Sequence, residues 1–517
     1  MGHKVKSTVK TIGLVMIIML VSRLLALICN MTYITFFGIN LQTDIYSYAI
    51  QLPNIIFNSF GTALVTVVIP IFAGYIATGE KERAFRFADN ITSLSFVFAS
   101  LLSLLGVLAA PLILLMTRFS NTGYDFAVMA LRIMFPVMIF YALNYVLQGI
   151  LQSLGRYNMP AFVSVPGSIV VILYVFTLGS RYGVMGLIIA TFIGLSLQAL
   201  ILIPPILKTE YRFKLSFKYK DDDIKRALRL MPPVLIGTSA YQVNMLFNTT
   251  LSANFKDTVA LITTVQNLVL YAILAFIYSI TSVIFPKLTM LAARNEMEDF
   301  RDNLSRVLKS VIYFLVPSAA GFIAVRYQLI DFLYGWGKVT GDNVMLASEM
   351  LALYAVGVIG IGIKEVVDRA FYSLKDTKRP ALNGVVIMVV NIAISLLLVS
   401  FIGVLGIPVA YSISALTGAT VILCMIRKKI GPFGGRKLVL STFKIITASG
   451  IMLVVVLPLI AFFGQYAFGH AVLDKGVKLL IPMAAGILVY GASTYFLKVD
   501  ETISILEKFK SRLKVNK

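Results

Sequence analysis

ALRIMFPVMIFYALNYVLQGILQSLGRYNMPAF, residues 130–162, carries the pattern that decides the fold. It contains an apolar run long enough to cross a bilayer as a helix. The run ends in Ser-Leu, five further residues and Pro-Ala, and FYSLKDTKRPAL, residues 371–382, has the same ending. Pro160 and Pro380 lie 220 positions apart. The chain therefore contains this apolar helix and its polar ending twice.

A second internal match has nearly the same offset. VVIPIFAGYIATGEKERAFRFADN (67–90) and SVIFPKLTMLAARNEMEDFRDN (282–303) both pass from an apolar helix into a charged segment, and 216 positions separate Pro70 from Pro286. Two such matches favour duplication over proline as ordinary helix punctuation. An even number of predicted helices separates the partners, so the repeats run parallel, about an axis along the membrane normal.

Composition sets the fold class. The 517 residues are 58% hydrophobic and 14% charged, with a mean hydropathy of +0.88, whereas soluble domains are about a quarter charged. We predict an all-α polytopic membrane protein with about fourteen transmembrane helices. The predicted spans lie near 11–37, 46–78, 90–117, 124–153, 158–180, 183–206, 230–253, 258–286, 310–325, 345–374, 381–401, 403–426, 445–464 and 479–497.

These spans form two six-helix lobes with two extra helices. We predict an N-lobe with helices 1–6 at 1–206, a cytoplasmic linker at 207–229, a C-lobe with helices 7–12 at 230–430, and helices 13 and 14 with a cytoplasmic tail at 431–517. The linker mixes lysines with the acidic triplet 221–223, which is typical of a solvated linker or a surface amphipathic helix.

The net charge of +22 reflects topology. With the N-terminus in the cytoplasm, most of the 46 Lys and Arg residues fall on the cytoplasmic side, as the positive-inside rule requires. We therefore expect a multi-pass protein of the bacterial cytoplasmic membrane with both termini in the cytoplasm. The basic loops would attract anionic lipids. Nucleic-acid binding is not expected.

No catalytic motif occurs in the sequence. There is no Walker-type glycine-rich loop, no nucleophile elbow and no histidine in any predicted span. We therefore predict a transporter rather than an enzyme, and no metal site.

Polar side chains inside the predicted spans are the candidate substrate site, because their burial in lipid is costly. Arg23 lies within helix 1 and Asp44 at the outer mouth of helix 2. Helix 10 carries two acids and two bases, which either neutralise one another or line a cavity: Lys364, Glu365, Asp368 and Arg369. Amides concentrate in helices 2, 7 and 8, including Gln51, Asn54, Asn58, Asn248 and Asn267. We predict a central polar cavity, with polar contacts between packed helices as the alternative.

Several runs resemble the MurJ (MviN) lipid II flippases of the multidrug/oligosaccharidyl-lipid/polysaccharide exporter superfamily. They include SRLLALICNMTYITFFG (22–38), TDIYSYAIQLPN (43–54) and the two segments 130–162 and 371–382. The resemblance covers essentially the whole chain. It implies two lobes in a V, a cationic cavity for a diphosphate-sugar head group, and a groove by helices 13 and 14 for a polyprenyl tail. Alternating access would carry the peptidoglycan precursor lipid II from the inner to the outer leaflet, as a step in cell-wall synthesis.

The resemblance also proposes site residues. Arg23, Asp44 and Arg369 match family positions. Many members have Arg-Asp at Cys29 and Asn30, and arginine at Gln51 and Asn267, so this cavity is expected to be less cationic. The predicted substrate-binding set is Arg23, Asp44, Gln51, Asn54, Asn58, Asn267, Glu365 and Arg369. Asn248, where members have an aspartate, and Asn391 are weaker candidates for cation coupling.

No cofactor is expected; the membrane potential or a monovalent cation gradient would supply the energy. Expected partners are lipid II, membrane lipids and other cell-wall synthesis proteins. The open alternatives are a flippase for another polyprenyl-diphosphate glycan, a MATE-like multidrug antiporter and a membrane scaffold with a vestigial cavity. The antiporter normally has twelve helices, which counts against it. An integral-membrane glycosyltransferase ranks last.

Overall fold

The computed structural model describes residues 2–218, 221–504 and 507, and these residues form helices and no strand. The chain divides into two compact units, Met1–Ala260 (unit 1) and Leu261–Lys517 (unit 2). The boundary lies beyond the predicted linker because the first long helix after the linker packs against the second helix of the chain. The lobe boundaries drawn from the repeat remain predictions.

Unit 1 is built around its second helix. Its helices are α1 (Gly2–Phe37), α2 (Leu41–Ala77), α3 (Lys81–Leu114), α4 (Tyr124–Met134), α5 (Val137–Ser153), α6 (Asn158–Phe162), α7 (Val165–Thr177), α8 (Gly179–Leu200), α9 (Ile203–Leu207), α10 (Asp222–Ser252) and the first turn of α11 (Val259–Ala293). α3, α4, α5, α8 and α10 all pack against α2. A buried apolar cluster around Phe72, Phe87 and Ile150 joins α2, α3 and α5.

Unit 2 contains the rest of α11 and seven further helices. They are α12 (Met297–Ala324), α13 (Arg326–Tyr334), α14 (Gly341–Ser373), α15 (Lys378–Ile402), α16 (Gly406–Ile430), α17 (Gly435–Gly464) and α18 (Ala471–Phe496). α14 packs against α12 and α16, and α17 and α18 pack against each other. Ile445, Met452 and Tyr490 belong to the buried cluster that seats this last pair on α12.

The predicted fold class is confirmed. Each of the fourteen predicted spans falls on one to three of these helices, and ten helical stretches among the described residues are long and apolar enough to cross a membrane. Several boundaries differ from the prediction. α3 begins at Lys81 instead of 90, because the helix continues past its apolar part through the charged turns before it. The predicted span 124–153 is divided at Pro136, which has no N–H to donate.

The duplication is visible in the backbone. Left-handed residues recur at offsets of 216 to 220 positions in four pairs: Gly38 and Asp257, Gly79 and Asn295, Gly155 and Lys375, and Gly183 and Gly403. At the third pair the hydrogen bonding that ends the helix is the same. Arg156 N donates to Leu151 O at 2.9 Å, and Asp376 N donates to Phe371 O at 3.0 Å. These are the 6→1 bonds of a Schellman-type helix end. The repeat therefore holds for local structure as well as for sequence.

In the first repeat all four left-handed positions are glycine. In the second repeat three of the four matching positions are other residues. Gly155 has φ of +73°, and a Cβ added there would meet no atom within 4 Å. The cost of a side chain at this position is therefore purely one of backbone conformation.

We expect Gly155→Ala to lower the free energy of unfolding by about 1 kcal/mol, since alanine is strained at positive φ. Thermal unfolding of the purified protein in detergent would measure it. Gly74→Ala is the matched control, because Gly74 is helical and an added Cβ there also meets nothing. Equal stability of the two variants would contradict the assignment of a left-handed helix end.

The linker differs from its prediction. Residues 211–218 form a non-helical strap held on α3 instead of the amphipathic helix that was one of the two predictions, whereas residues 222–229 belong to α10. Tyr211 OH and Lys214 N both donate to Asp89 Oδ1 at 2.9 Å. Lys218 N donates to Asn90 Oδ1 at 3.1 Å. The buried Asp89 and Asn90 side chains thus accept hydrogen bonds from strap N–H groups that are not part of a helix. Lys220 of the predicted linker lies outside the described residues.

The acidic triplet begins α10 instead of lying free in solvent. Asp221 caps the helix by accepting from Asp223 N at 2.9 Å. Asp223 accepts two hydrogen bonds of 2.9 Å from the Arg83 guanidinium and one from the Tyr75 hydroxyl. The Arg83 hydrogen bonds hold the pKa of the Asp223 carboxyl below its usual range, although partial burial opposes them. Asp223 therefore fastens the start of α10 to α2 and α3.

We expect Asp223→Asn to cost about 1–2 kcal/mol of stability at neutral pH. A carboxyl whose pKa is lowered by folding stabilises the fold above its unfolded pKa, and this contribution is lost as pH falls through the folded value. The difference from wild type should therefore hold from pH 8 to 5 and shrink below about pH 4. Asp222→Asn is the control, since the Asp222 side chain is 92% exposed. A similar loss in both variants would contradict the role of Asp223.

Candidate functional site

A polar stripe runs along one side of α2. Gln51 is followed at intervals of three and then four residues by Asn54, Asn58, Thr62 and Thr66. Asn54 and Thr66 are exposed and the other three are half-buried. Five uncharged polar side chains in register are poor lipid-facing surface, and such a stripe is typical of a helix beside water. Gln51, Asn54 and Asn58 of the predicted site therefore share one surface of unit 1.

Two tyrosines of α5 complete this stripe. Tyr145 OH donates to Asn58 Oδ1 at 3.0 Å, and Asn54 Nδ2 donates to Tyr141 OH at 3.5 Å. Both rings lie near the buried ring of Phe57, with centroids 6.4 Å apart. Gly61 makes the approach possible, because a Cβ there would overlap the Tyr145 ring. Helix packing thus fixes the tyrosine hydroxyls against the α2 amides.

Other predicted residues of unit 1 lie on neighbouring helices. Thr249 Oγ1 of α10 donates to Gln51 Oε1 at 3.4 Å. Asn248, beside it, is buried. Arg23 is half-buried on α1. The structure thus brings Gln51 to α10, next to one of the two amides that are candidates for cation coupling.

Asp44 has a different environment from the stripe. Its side chain is fully buried and accepts from Thr258 N and Ala260 N, each at 3.0 Å. Arg118 lies 3.5 Å from its carboxylate and 3.7 Å from that of Asp257. A carboxylate is stabilising at a helix N-terminus, where backbone N–H groups lack partners. Asp44 therefore clasps the start of α11 to α2, and its predicted contact with substrate remains a prediction.

We expect Asp44→Ala to lower the free energy of unfolding by about 3 kcal/mol, because two charge-assisted hydrogen bonds are lost and their donors stay buried. Asp44→Asn should cost about half as much, since one acceptor oxygen remains. Thermal unfolding would measure both, with the exposed Asp125→Asn as control. Reduced substrate affinity at unchanged stability would instead favour a substrate-binding role.

In unit 2, α14 carries the predicted charged cluster. Lys364 Nζ lies 2.5 Å from Asp368 and 3.8 Å from Glu365. The Arg369 guanidinium lies 6.0 Å from the centre of the Phe285 ring. Among the described residues no carboxylate oxygen comes within 4.0 Å of Arg369. Of the two bases, Lys364 is neutralised locally and Arg369 is not.

The same helix positions are neutral in unit 1. An offset of 220 relates Asn144 and Gln148 to Lys364 and Asp368. Gln148 Nε2 donates to Asn144 Oδ1 at 2.8 Å, so a contact between residues four apart is kept while its chemistry changes from ionic to amide. The repeats therefore differ in charge at matching positions.

The remaining amides of the prediction lie in unit 2. Asn267 is half-buried on α11, beside Gln266, whose Nε2 donates to Tyr354 OH at 2.9 Å. Asn391 is fully buried on α15, and its Nδ2 donates to Ser414 Oγ of α16 at 3.4 Å. The contact that is described for Asn391 is thus one between two packed helices.

Sequence reasoning missed the partners Tyr141, Tyr145, Gln148 and Arg118. Tyr141, Tyr145 and Gln148 have helical spacing within the 130–162 segment, and the repeat offset aligns Tyr145 and Gln148 with Glu365 and Asp368. Comparing the two repeats position by position could have found them. Nothing in the sequence pairs Arg118 with Asp44.

The amino-acid sequence is similar to those of known proteins. Residues 33–475 match the family described as lipid II flippase MurJ. The chain is 26% identical over 509 residues to a probable lipid II flippase MurJ of Treponema pallidum, which covers 92% of this chain and 94% of that protein. It is 25% identical over 412 residues to the corresponding protein of Vibrio cholerae, which covers 77% and 78%.

Solved structures share the fold. A lipid II flippase MurJ in an inward closed conformation gives a TM-score of 0.79 at 22% identity, covering 94% of this chain and 99% of that one. An inward-facing MATE family multidrug transporter gives 0.63 at 16% identity, covering 78% and 98%. The fold similarity thus extends to a MATE family transporter. Because the matched residues 33–475 make up most of the sequence, the chain belongs to the lipid II flippase MurJ family.

Proposed function

We propose that this chain is a flippase that carries lipid II from the inner to the outer leaflet of the cytoplasmic membrane by alternating access. The observation that carries the proposal is the match to the MurJ family over residues 33–475. Membership of that family and the ten apolar helical stretches among the described residues make the chain a multi-pass membrane protein with a transport function. A MATE-like antiporter is less well supported, because the TM-score to the MATE transporter is lower.

The charges of α14 indicate how a diphosphate would be held. A diphosphate cannot enter a low-dielectric site without compensation of its charge. Lys364 already has two carboxylates within 4.0 Å, whereas Arg369 has none among the described residues. A guanidinium also binds phosphate oxygens in a bidentate way. We therefore assign diphosphate binding to Arg369 and the balancing of the Lys364 charge to Glu365; Arg23 of unit 1 stays a separate candidate for substrate binding.

A second candidate is a flippase for another polyprenyl-diphosphate glycan. The observation that favours it is the neutral α2 stripe, which has Gln51 where the family resemblance leads one to expect arginine. A less cationic surface would suit a substrate whose recognition depends more on its glycan. The two candidates share the diphosphate and differ in the sugars.

Orientation and energetics extend the proposal. The positive-inside distribution supports cytoplasmic termini. The chain would work without a cofactor, driven by the membrane potential or by a monovalent cation gradient, with Asn248 and Asn391 as candidate cation ligands. Membrane lipids and other cell-wall synthesis proteins would be its partners.

Complementation tests the function. The essential lipid II flippase of a bacterium is depleted while this chain is expressed, and colony formation is counted. Wild type should restore growth, and Arg369→Ala should reduce it at least about tenfold, as expected for the loss of one charge-assisted contact. Arg23→Ala is tested alongside.

The matched control is Arg132→Ala, since Arg132 is exposed on α4. Equal membrane abundance of all variants is checked first. No rescue by well-inserted wild type would contradict lipid II transport and favour another lipid-linked glycan. Full rescue by Arg369→Ala would contradict the assigned diphosphate contact.

A further inference from the structure

We propose that the surface formed by α2 and α5 in unit 1 is a carbohydrate subsite, which binds the uncharged sugars of the lipid-linked substrate. This inference rests on the proposed function and deepens it. We call this surface the amide–tyrosine surface and define it by Asn54, Asn58 and Thr62 of α2 and Tyr141, Tyr145 and Gln148 of α5.

Its first distinguishing property is neutrality. None of its six side chains is ionisable near neutral pH, since tyrosine titrates near 10. The α14 positions related to Tyr145 and Gln148 by the repeat are Glu365 and Asp368, which are charged. The duplication thus produced one charged and one neutral version of the same helix. A neutral surface cannot compensate a diphosphate, so its ligand is an uncharged polar group.

Its second property is a mixture of donors and acceptors. Amide side chains offer both, and hydroxyl groups can do either. The existing bonds use part of this capacity: Tyr145 OH donates to Asn58 Oδ1, and Thr62 Oγ1 donates to the same oxygen at 3.5 Å. Both of these bonds use the Asn58 oxygen, and neither uses its Nδ2 group, which is a donor. Sugar hydroxyl and acetamido groups also both donate and accept, so they match this surface.

Its third property is aromatic surface beside the polar groups. Tyr145 is half-buried and offers this surface, whereas Tyr141, one helical turn before it on α5, is only 7% exposed, and the buried ring of Phe57 packs near both. Binding sites for small organic groups combine such apolar walls with a few fixed polar groups. The C–H face of a sugar ring offers the matching apolar surface. A peptide with free carboxylates would find no cation on this surface.

A binding experiment with two lipids tests the inference. The full chain in lipid nanodiscs is titrated with lipid II and, separately, with undecaprenyl diphosphate, which has the same tail and a terminal diphosphate but neither the sugars nor the peptide. Wild type should bind lipid II at least about tenfold more tightly. Tyr145→Phe and Thr62→Val, each of which removes one hydroxyl, should reduce this ratio severalfold while leaving the affinity for undecaprenyl diphosphate unchanged.

Tyr46→Phe is the matched control, because it removes a buried hydroxyl bonded to Thr191 at 2.9 Å on another side of α2. Arg369→Ala should weaken both lipids equally. Equal binding of both lipids by wild type would overturn the carbohydrate subsite and leave the flippase proposal standing. Equal loss for both lipids in Tyr145→Phe would overturn it too. Binding of neither lipid by folded wild type would overturn both proposals.

Discussion

Lipid hydrocarbon offers no hydrogen-bond partner to a backbone N–H or C=O group, so each segment that crosses it must close its own bonds as a helix. Much else in this structure follows from what happens where helices end. The start of α11 has its free N–H groups satisfied by the buried Asp44 carboxylate. In the non-helical strap before α10, the backbone N–H groups of Lys214 and Lys218 donate to Asp89 and Asn90. Some carboxylates and amides that look like site residues in the sequence therefore accept hydrogen bonds from backbone N–H groups at or beyond the ends of helices.

The two repeats kept their backbone and diverged in their side chains. Left-handed residues end matching segments at offsets of 216 to 220 positions, which shows that the local path of the chain was conserved. A contact between residues four apart is an amide pair at Asn144 and Gln148 and an ion pair at Lys364 and Asp368. A helix tolerates such a change because the spacing, and not the charge, sets which side chains meet. The two repeats therefore carry chemically different side chains at matching positions.

Local neutralisation decides which charges remain for a ligand. Counting bases in the sequence treats Lys364 and Arg369 alike. In the structure Lys364 lies between two carboxylates, and Arg369 lies beside the Phe285 ring without one within 4.0 Å in the described part of the chain. A base that is already paired gains little free energy from binding an anion, because its carboxylate would then be left buried without a partner.

The sequence by itself determined the membrane class, the all-helical fold, the internal repeat and the polar stripe of Gln51, Asn54 and Asn58, because hydropathy and helical spacing are local properties of the chain. It also gave the family resemblance. It could not assign partners. Three contacts show this: Asp44 accepts from two backbone N–H groups, Tyr145 meets an α2 amide, and Asp223 pairs with Arg83. The residues in these contacts lie 87 to 216 positions apart in the sequence. Only packing brings such residues together, since tertiary contact is set by the whole fold rather than by local spacing.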